Sequence, residues 1–227
     1  MLHKNKKEVV IFCGYRSWAK NIYSELKKKY NNFNWYSAEN PEQLQNLLQI
    51  KEVKIVILAG WSWIIAKDIV EKYFMVGLHP SDLPNYAGGS PIQNQVLDGI
   101  ENTKMSLFKV SPEIDKGEIL YKSELSLSGG MDNIFKNLTL SSIQVLDLML
   151  TDYPNILLHP QSGNGKSCRR LKPRDSKIDF PIKNMTVKQL YDFIRCREDP
   201  YPNVYMEDDT GTLYFKKVDF VQKEVKK

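Results

Sequence analysis

Histidine and cysteine are both scarce in this chain, with three of each among 227 residues. Cys13, Cys168 and Cys196 lie far apart and form no Cys-x-x-Cys pair. That spacing argues against a disulfide framework and a zinc site, and a reducing cytoplasm is the expected setting. No run of about 18 apolar residues occurs, so no membrane span is expected. The opening Met1-Leu2-His3-Lys4-Asn5-Lys6-Lys7 is basic but runs into the strand-like Glu8 to Gly14, with no small-residue cleavage site behind it. It reads as the approach to a first strand rather than a secretory signal. Internal repeats and low-complexity stretches are absent. A Gly-x-Gly-x-x-Gly motif is missing too, since the first strand leads into Gly14-Tyr15-Arg16-Ser17. A dinucleotide dehydrogenase is therefore disfavoured.

Basic residues exceed acidic ones, 32 to 27. Lys4, Lys6, Lys7, Lys223, Lys226 and Lys227 contribute most of that excess from the two ends, where solvation is the simplest role. A nucleic-acid footprint is not expected. An internal cluster, Lys166, Arg169, Arg170, Lys172, Arg174 and Lys177, reads either as a phosphate-binding surface or as a solvated loop.

Apolar runs at Glu8 to Gly14, Lys54 to Ala59 and Met75 to Leu78 read as buried strands, with a shorter strand at Phe33 to Tyr36. Between them, Trp18 to Tyr30, Pro41 to Leu48 and Ile64 to Tyr73 have helical spacing. Strands and helices alternating at this interval predict right-handed βαβ units and a mostly parallel α/β sheet. The pattern changes after Leu78. A helix over Pro91 to Leu97, strands over Lys104 to Val110 and Ile119 to Leu127, and a long helix over Met131 to Tyr153 follow. Beyond Pro154 the chain is turn-rich, with a helix over Thr186 to Arg195 and a hairpin around Asp208-Asp209-Thr210-Gly211. The division is thus a core of residues 1–153 and a small α+β tail of 154–227.

In open α/β sheets, ligands sit beyond the carboxyl ends of strands. The third long strand ends in Leu78-His79-Pro80-Ser81-Asp82-Leu83-Pro84-Asn85-Tyr86-Ala87-Gly88-Gly89-Ser90-Pro91. Its prolines fix backbone and its glycines permit close approach. His79 is the histidine placed for chemistry, because His3 lies in a terminal arm and His159 in a turn-rich stretch. Thirty-six positions later, the turn Pro112-Glu113-Ile114-Asp115-Lys116-Gly117-Glu118 supplies a carboxylate. A histidine–carboxylate couple is the least that orients an imidazole and moves protons.

The series His79-Pro80-Ser81-x-Leu83-Pro84, Gly88, Pro91 and Asp115-x-Gly117 resembles the folate-dependent formyltransferases, a family that includes the methionyl-tRNA, glycinamide ribonucleotide and sugar N-formyltransferases. Weaker likeness to the tRNA and sugar branches continues in Arg174 to Asp179 and in Ile194-Arg195 with Pro200-Tyr201-Pro202. The resemblance implies a Rossmann-like α/β core that binds N10-formyltetrahydrofolate as formyl donor, no metal, and a catalytic Asn–His–Asp trio. His79 and Asp115 take the places of two members. The asparagine position, two residues before the histidine, is Gly77. Asn94 in Ser90-Pro91-Ile92-Gln93-Asn94 is the candidate replacement, with an exposed helix residue as the alternative. His79 either donates to the developing oxyanion or relays protons; Asp115 orients it and accepts the amine's proton.

By the same resemblance, Trp63, Ile64, Ile65, Leu83, Pro84 and Gly117 are candidate folate contacts. Gly88, Gly89, Ser90, Arg170, Arg174, Arg195, Arg197 and Tyr201 are candidate acceptor contacts, the arginines for a diphosphate and Tyr201 for a base. The expected acceptor is a nucleotide-linked 4-amino-4,6-dideoxy sugar, with pseudaminic-acid-type precursors included. Fewer than fifty residues follow Asp179, which argues against the C-terminal barrel of a tRNA enzyme. A homodimer accompanies the sugar reading; a methionyl-tRNA-type enzyme and a non-catalytic binding protein are the alternatives.

Overall fold

The computed structural model describes residues 7–223; His3, Lys4, Lys6, Lys226 and Lys227 lie outside them. Lys7 precedes β1 and donates through Nζ to the Asn31 carbonyl at 2.7 Å. The element order runs β1 (Val9–Cys13), α1 (Ser17–Lys29), β2 (Asn34–Ala38), α2 (Pro41–Ile50), β3 (Val53–Ala59), α3 (Lys67–Lys72) and β4 (Met75–His79). It continues with β5 (Ala87–Gly88), α4 (Pro91–Leu97), β6 (Asn102–Lys109), β7 (Ile119–Ser126) and α5 (Met131–Asp152). The tail holds β8 (Ser167–Cys168), α6 (Val187–Arg195) and a hairpin of β9 (Val204–Asp208) with β10 (Gly211–Phe215).

The main sheet has the order β2-β1-β3-β4-β6-β7. β1 to β4 are parallel, as βαβ connections require, while β6 and β7 return antiparallel on the far edge. The alternation of side chains along β1 and β3 divides the core into two layers. Val10, Phe12, Ile55 and Ile57 pack on one face beneath α1 and α5; Val9, Ile11, Val56 and Leu58 pack on the other with Leu44 of α2 and Val70 of α3. Asn40 caps α2 through its side chain, which accepts from Gln43 N at 3.0 Å, and Pro41 fills the first helical position.

One expected element differs. The helix anticipated over Ile64 to Tyr73 begins only at Lys67. Residues 61–66 form an irregular loop instead, because Trp61 and Trp63 pack edge to face at 4.9 Å and Ile64 is 89% exposed. The helical spacing of the sequence belongs to Ile69, Val70 and Tyr73, which pack on the α2/α3 layer. Among the described residues no helix is long and apolar enough to cross a membrane.

Candidate active site

β4 carries the first functional side chain. Val76 and Leu78 point into the α1/α5 layer, so Gly77 and His79 share the opposite face. His79 sits at the carboxyl end of β4 with only 6% of its surface exposed. Asp115 comes from the β6–β7 turn and adopts φ +54°, a left-handed conformation uncommon for a residue with a side chain. The two meet: His79 Nδ1 lies 3.5 Å from Asp115 Oδ2. That same oxygen accepts from Gly88 N at 2.8 Å. On the far side of the ring, His79 Nε2 lies 2.8 Å from the Tyr86 carbonyl oxygen. A carbonyl only accepts, so Nε2 carries a proton, and Nδ1 is the nitrogen left to exchange one with the carboxylate.

The loop that supplies Tyr86 is braced from below. Ser106 Oγ donates to the Ser81 carbonyl at 2.6 Å, Gln95 Nε2 to the Pro80 carbonyl at 2.7 Å, and Lys122 Nζ to the Leu83 carbonyl at 2.6 Å and to Asp82 Oδ1. From above, the tail lies across it. β8 pairs in parallel with β5, Tyr86 N donates to the Lys166 carbonyl and Gly89 N to the Cys168 carbonyl, and Ser90 Oγ accepts from Leu171 N at 3.0 Å. Cys168 Sγ donates to the Tyr86 carbonyl at 3.3 Å, so that oxygen serves both the thiol and His79. Burial, reinforced by Asp115, pushes the Cys168 thiol up to about 11 and keeps it a neutral donor.

This arrangement corrects several sequence expectations. Asn94 does not face the His79–Asp115 couple as a free donor. Its amide nitrogen donates to the carbonyls of Ser90 at 2.9 Å, Gly89 at 3.2 Å and Arg169 at 3.2 Å, so it clasps loop to tail. Gly88 and Gly89 admit the protein's own tail rather than a ligand. A Cβ on Gly88 would lie 2.4 Å from the Cys168 carbonyl oxygen, and one on Gly89 2.5 Å from Arg170 Cβ. Gly77 is bare because the Phe108 ring fills the space: a Cβ there would meet it at 2.7 Å.

Arg195 and Arg197 are not diphosphate ligands at the surface. Arg195 is 2% exposed, and its guanidinium bonds Asp192 and the carbonyls of Leu127 and Gly129. Arg197 lies 4.0 Å from the centre of the Phe193 ring and donates to the Phe193 carbonyl. Arg195, at the end of α6, reaches the carbonyls that precede α5, whereas Arg197, just beyond α6, folds back on the helix's own Phe193. Leu83, expected against the folate, is buried with Ala87, Phe108 and Ile119.

The remaining candidates fall in two places. Gly117 packs on the Lys109 carbonyl and lines a groove of about 620 Å³ between the end of α3 and the Asp115 turn, with Tyr73, Phe74, Val110 and Lys116. Trp63, 41% exposed, stands instead over the ends of β1 and β3, edge to face with Trp61 and Tyr15; the partly buried Ile65 packs on the α2/α3 layer. Pro84 follows a cis peptide, its carbonyl against Gly165. Arg170 and Arg174 remain exposed on the tail, whereas Arg169 is held by Asp175 through two bonds of 2.7 and 3.0 Å. Tyr201 stacks on Phe135, and Arg16 lies over its ring at 5.7 Å and over Tyr15 at 5.3 Å. Arg16 escaped sequence reasoning because it belongs to no local motif; only the fold brings residue 201 to the end of β1. Among the described residues, no three His, Cys, Asp or Glu side chains gather as a metal site.

A doubly wound α/β domain with a buried histidine–carboxylate couple at the carboxyl end of a parallel strand has the architecture of an α/β enzyme with groups that can move a proton beyond the strand ends. The sequence narrows this: residues 15–134 match the model of the formyl transferase family, and the chain belongs to it. A methionyl-tRNA formyltransferase of Rickettsia prowazekii is 27% identical over 140 residues, covering 60% of this chain and 46% of that protein. The chain therefore spans about half the length of that relative. A solved structure of a methionyl-tRNA formyltransferase from Clostridium thermocellum superimposes with a TM-score of 0.86 at 28% identity, covering 94% of each chain. A sugar N-formyltransferase from a Shewanella species shares the fold at 14% identity, with a TM-score of 0.72 over 95% of this chain and 99% of that one.

Proposed function

We propose that this chain is an N-formyltransferase that moves a formyl group from N10-formyltetrahydrofolate to the amine of a nucleotide-linked amino sugar, a 4-amino-4,6-dideoxy sugar by the sequence resemblance. The observation that carries the reading is the 3.5 Å approach of His79 Nδ1 to Asp115 Oδ2 at the end of β4. The neutral amine attacks the formyl carbon, the carbonyl oxygen becomes an oxyanion, and the C–N10 bond then breaks as tetrahydrofolate leaves with a proton. Asp115 accepts the amine's proton and His79 Nδ1 shares it. The expected asparagine donor is absent at Gly77, and Asn94 is occupied elsewhere. The donor at hand is His79 Nε2–H, which turns from the Tyr86 carbonyl to the oxyanion; a missing donor of this kind costs about 3–4 kcal/mol of transition-state stabilisation.

The groove beside Gly117 is the place for the pterin, and the exposed Arg170 and Arg174 with the Tyr15–Arg16–Tyr201 stack are the cationic and aromatic groups for a nucleoside diphosphate. Formyl transfer to methionyl-tRNA is the second reading, favoured by the names of the relatives. The test is release of tetrahydrofolate from N10-formyltetrahydrofolate with a panel of nucleotide-linked amino sugars and with charged initiator tRNA. Turnover with a sugar supports the first reading, turnover with tRNA alone the second, and none with any amine supports a binding protein on this scaffold.

A further inference from the structure

Asp115 sits in a conformation that side-chain-bearing residues rarely adopt, on the turn that joins β6 to β7. Something must hold it there. Within the turn itself, Lys116 N reaches the Glu113 carbonyl only at a long 3.4 Å. The tail supplies the rest. His159 forms a two-bond antiparallel bridge with Ile119, at 2.8 and 2.9 Å, and so continues the sheet by one short rung beside the turn. Two residues on, Gln161 Nε2 donates to the carbonyls of both Asp115 and Gly117, each at 2.8 Å. One amide group thereby ties the two backbone positions that flank the turn's end, and Gly117 is wedged against the Lys109 carbonyl on its other side.

We infer that Gln161 is a positioning residue for the reaction, fixing the backbone of Asp115 so that its carboxylate meets His79 Nδ1 and Gly88 N at once; this rests on the formyl-transfer reading. Gln161 touches neither His79 nor the Asp115 carboxylate, so it acts through the carbonyl it holds. Loss of both bonds frees the turn to relax from φ +54°, which swings Oδ2 away from the imidazole. A shift of about 1 Å in a catalytic group costs on the order of 100-fold in rate, while substrate binding elsewhere is untouched.

The test compares full-length wild type with Gln161→Met and Gln161→Glu, both of similar reach and without the amide donor. Expected are a fall in kcat of about 10- to 100-fold and a KM for the amine within about 2-fold. In the long-range ¹H–¹⁵N spectrum, the His79 Nδ1 signal moves toward its position in Asp115→Ala. A merely structural role lowers Tm but leaves that signal in place. Wild-type-like kcat with an unchanged His79 spectrum in either folded variant overturns the inference. If wild type formylates no amine, the functional reading fails, and the imidazole spectrum still decides the role of Gln161. If Gln161→Met does not fold, the isosteric Gln161→Glu carries the decision by the same two readings.

Discussion

The sheet domain and the segment that follows it are held by different forces. From β1 to α5 the chain buries two continuous apolar layers, with Phe12, Ile22, Ile57, Met105 and Leu146 all fully or nearly fully inside. Residues 154–172 bury little that is apolar. They adhere to the catalytic loop through directional contacts: the β5–β8 pairing, the Asn94 amide, the Gln161 amide, and a Tyr86–Asp98–Lys166 cluster. Only beyond Pro173 does a small separate core reappear, around Ile178, Phe193, Ile194 and Val204. Apolar burial is tolerant of detail, whereas hydrogen bonds fix position. The core therefore supplies stability, and the tail supplies the placement of Tyr86, Gly88 and Asp115 around His79.

The sharpest way to break this division is at the couple itself. His79→Ala and Asp115→Ala should each lower kcat by about 10²- to 10⁴-fold, the range for removing a positioned acid or base, with Tm changed little. Tetrahydrofolate release at saturating substrates measures it, and near-normal turnover in either variant removes that residue from the mechanism. By contrast, Arg195→Ala should act on the other side of the comparison. Its loss leaves the buried Asp192 carboxylate without its partner and frees the Leu127 and Gly129 carbonyls, at a cost of about 3–5 kcal/mol. Thermal unfolding should show the loss while, on the proposed sugar reading, KM for the acceptor in the surviving folded fraction stays the same. Arg170→Ala should do the reverse, raising that KM with Tm unchanged.

Gly77 sharpens the reading of the missing asparagine. A side chain there collides with the Phe108 ring, so Gly77→Asn should destabilise by about 1–3 kcal/mol as an overpacked core position. Phe108→Ala in the same chain relieves the collision, and Tm of the double variant should exceed that expected from adding the two single effects. Strict additivity would show that the ring and position 77 do not compete for the same space.

What was legible in the sequence follows the same line between burial and geometry. The parallel strands, α1, α2, α4 and α5 are visible because their apolar spacing is the cause of their burial. His79 and Asp115 are visible because a strand end and a Gly-containing turn are local features. The sequence around Asn94 and Gly88 does not reveal their partner, the tail. Both are shaped by β8, a two-residue strand, Ser167–Cys168, with no periodicity to announce it. Arg195 reads as a surface cation until α6 is docked, since nothing local reveals that the carbonyls of Leu127 and Gly129 await it. Gln161 lacks any motif; its meaning lies wholly in the two carbonyls it reaches.

The smallest effect tests whether the segment over the site is truly held by polar contacts. The Asp98 carboxyl is held below its ordinary value of 3.8, first by the hydrogen bond from Lys166 and also by that from Tyr86. Asp175 is held lower still by Arg169 and the Lys172 amide. A carboxylate whose value is depressed by folding stabilises the fold above its unfolded value and loses that contribution as pH falls through the folded one. Acid below 3.8 should therefore loosen residues 166–172 first. These groups are largely exposed and screened, so the effect is modest and should shrink further in high salt. Hydrogen exchange read by mass spectrometry, corrected for intrinsic rates, should show faster exchange of the Tyr86, Gly89 and Leu171 amides between pH 4 and pH 3, with β1 and β3 still protected. Simultaneous loss of protection in sheet and tail would mean that one cooperative core holds both, and the comparison would collapse.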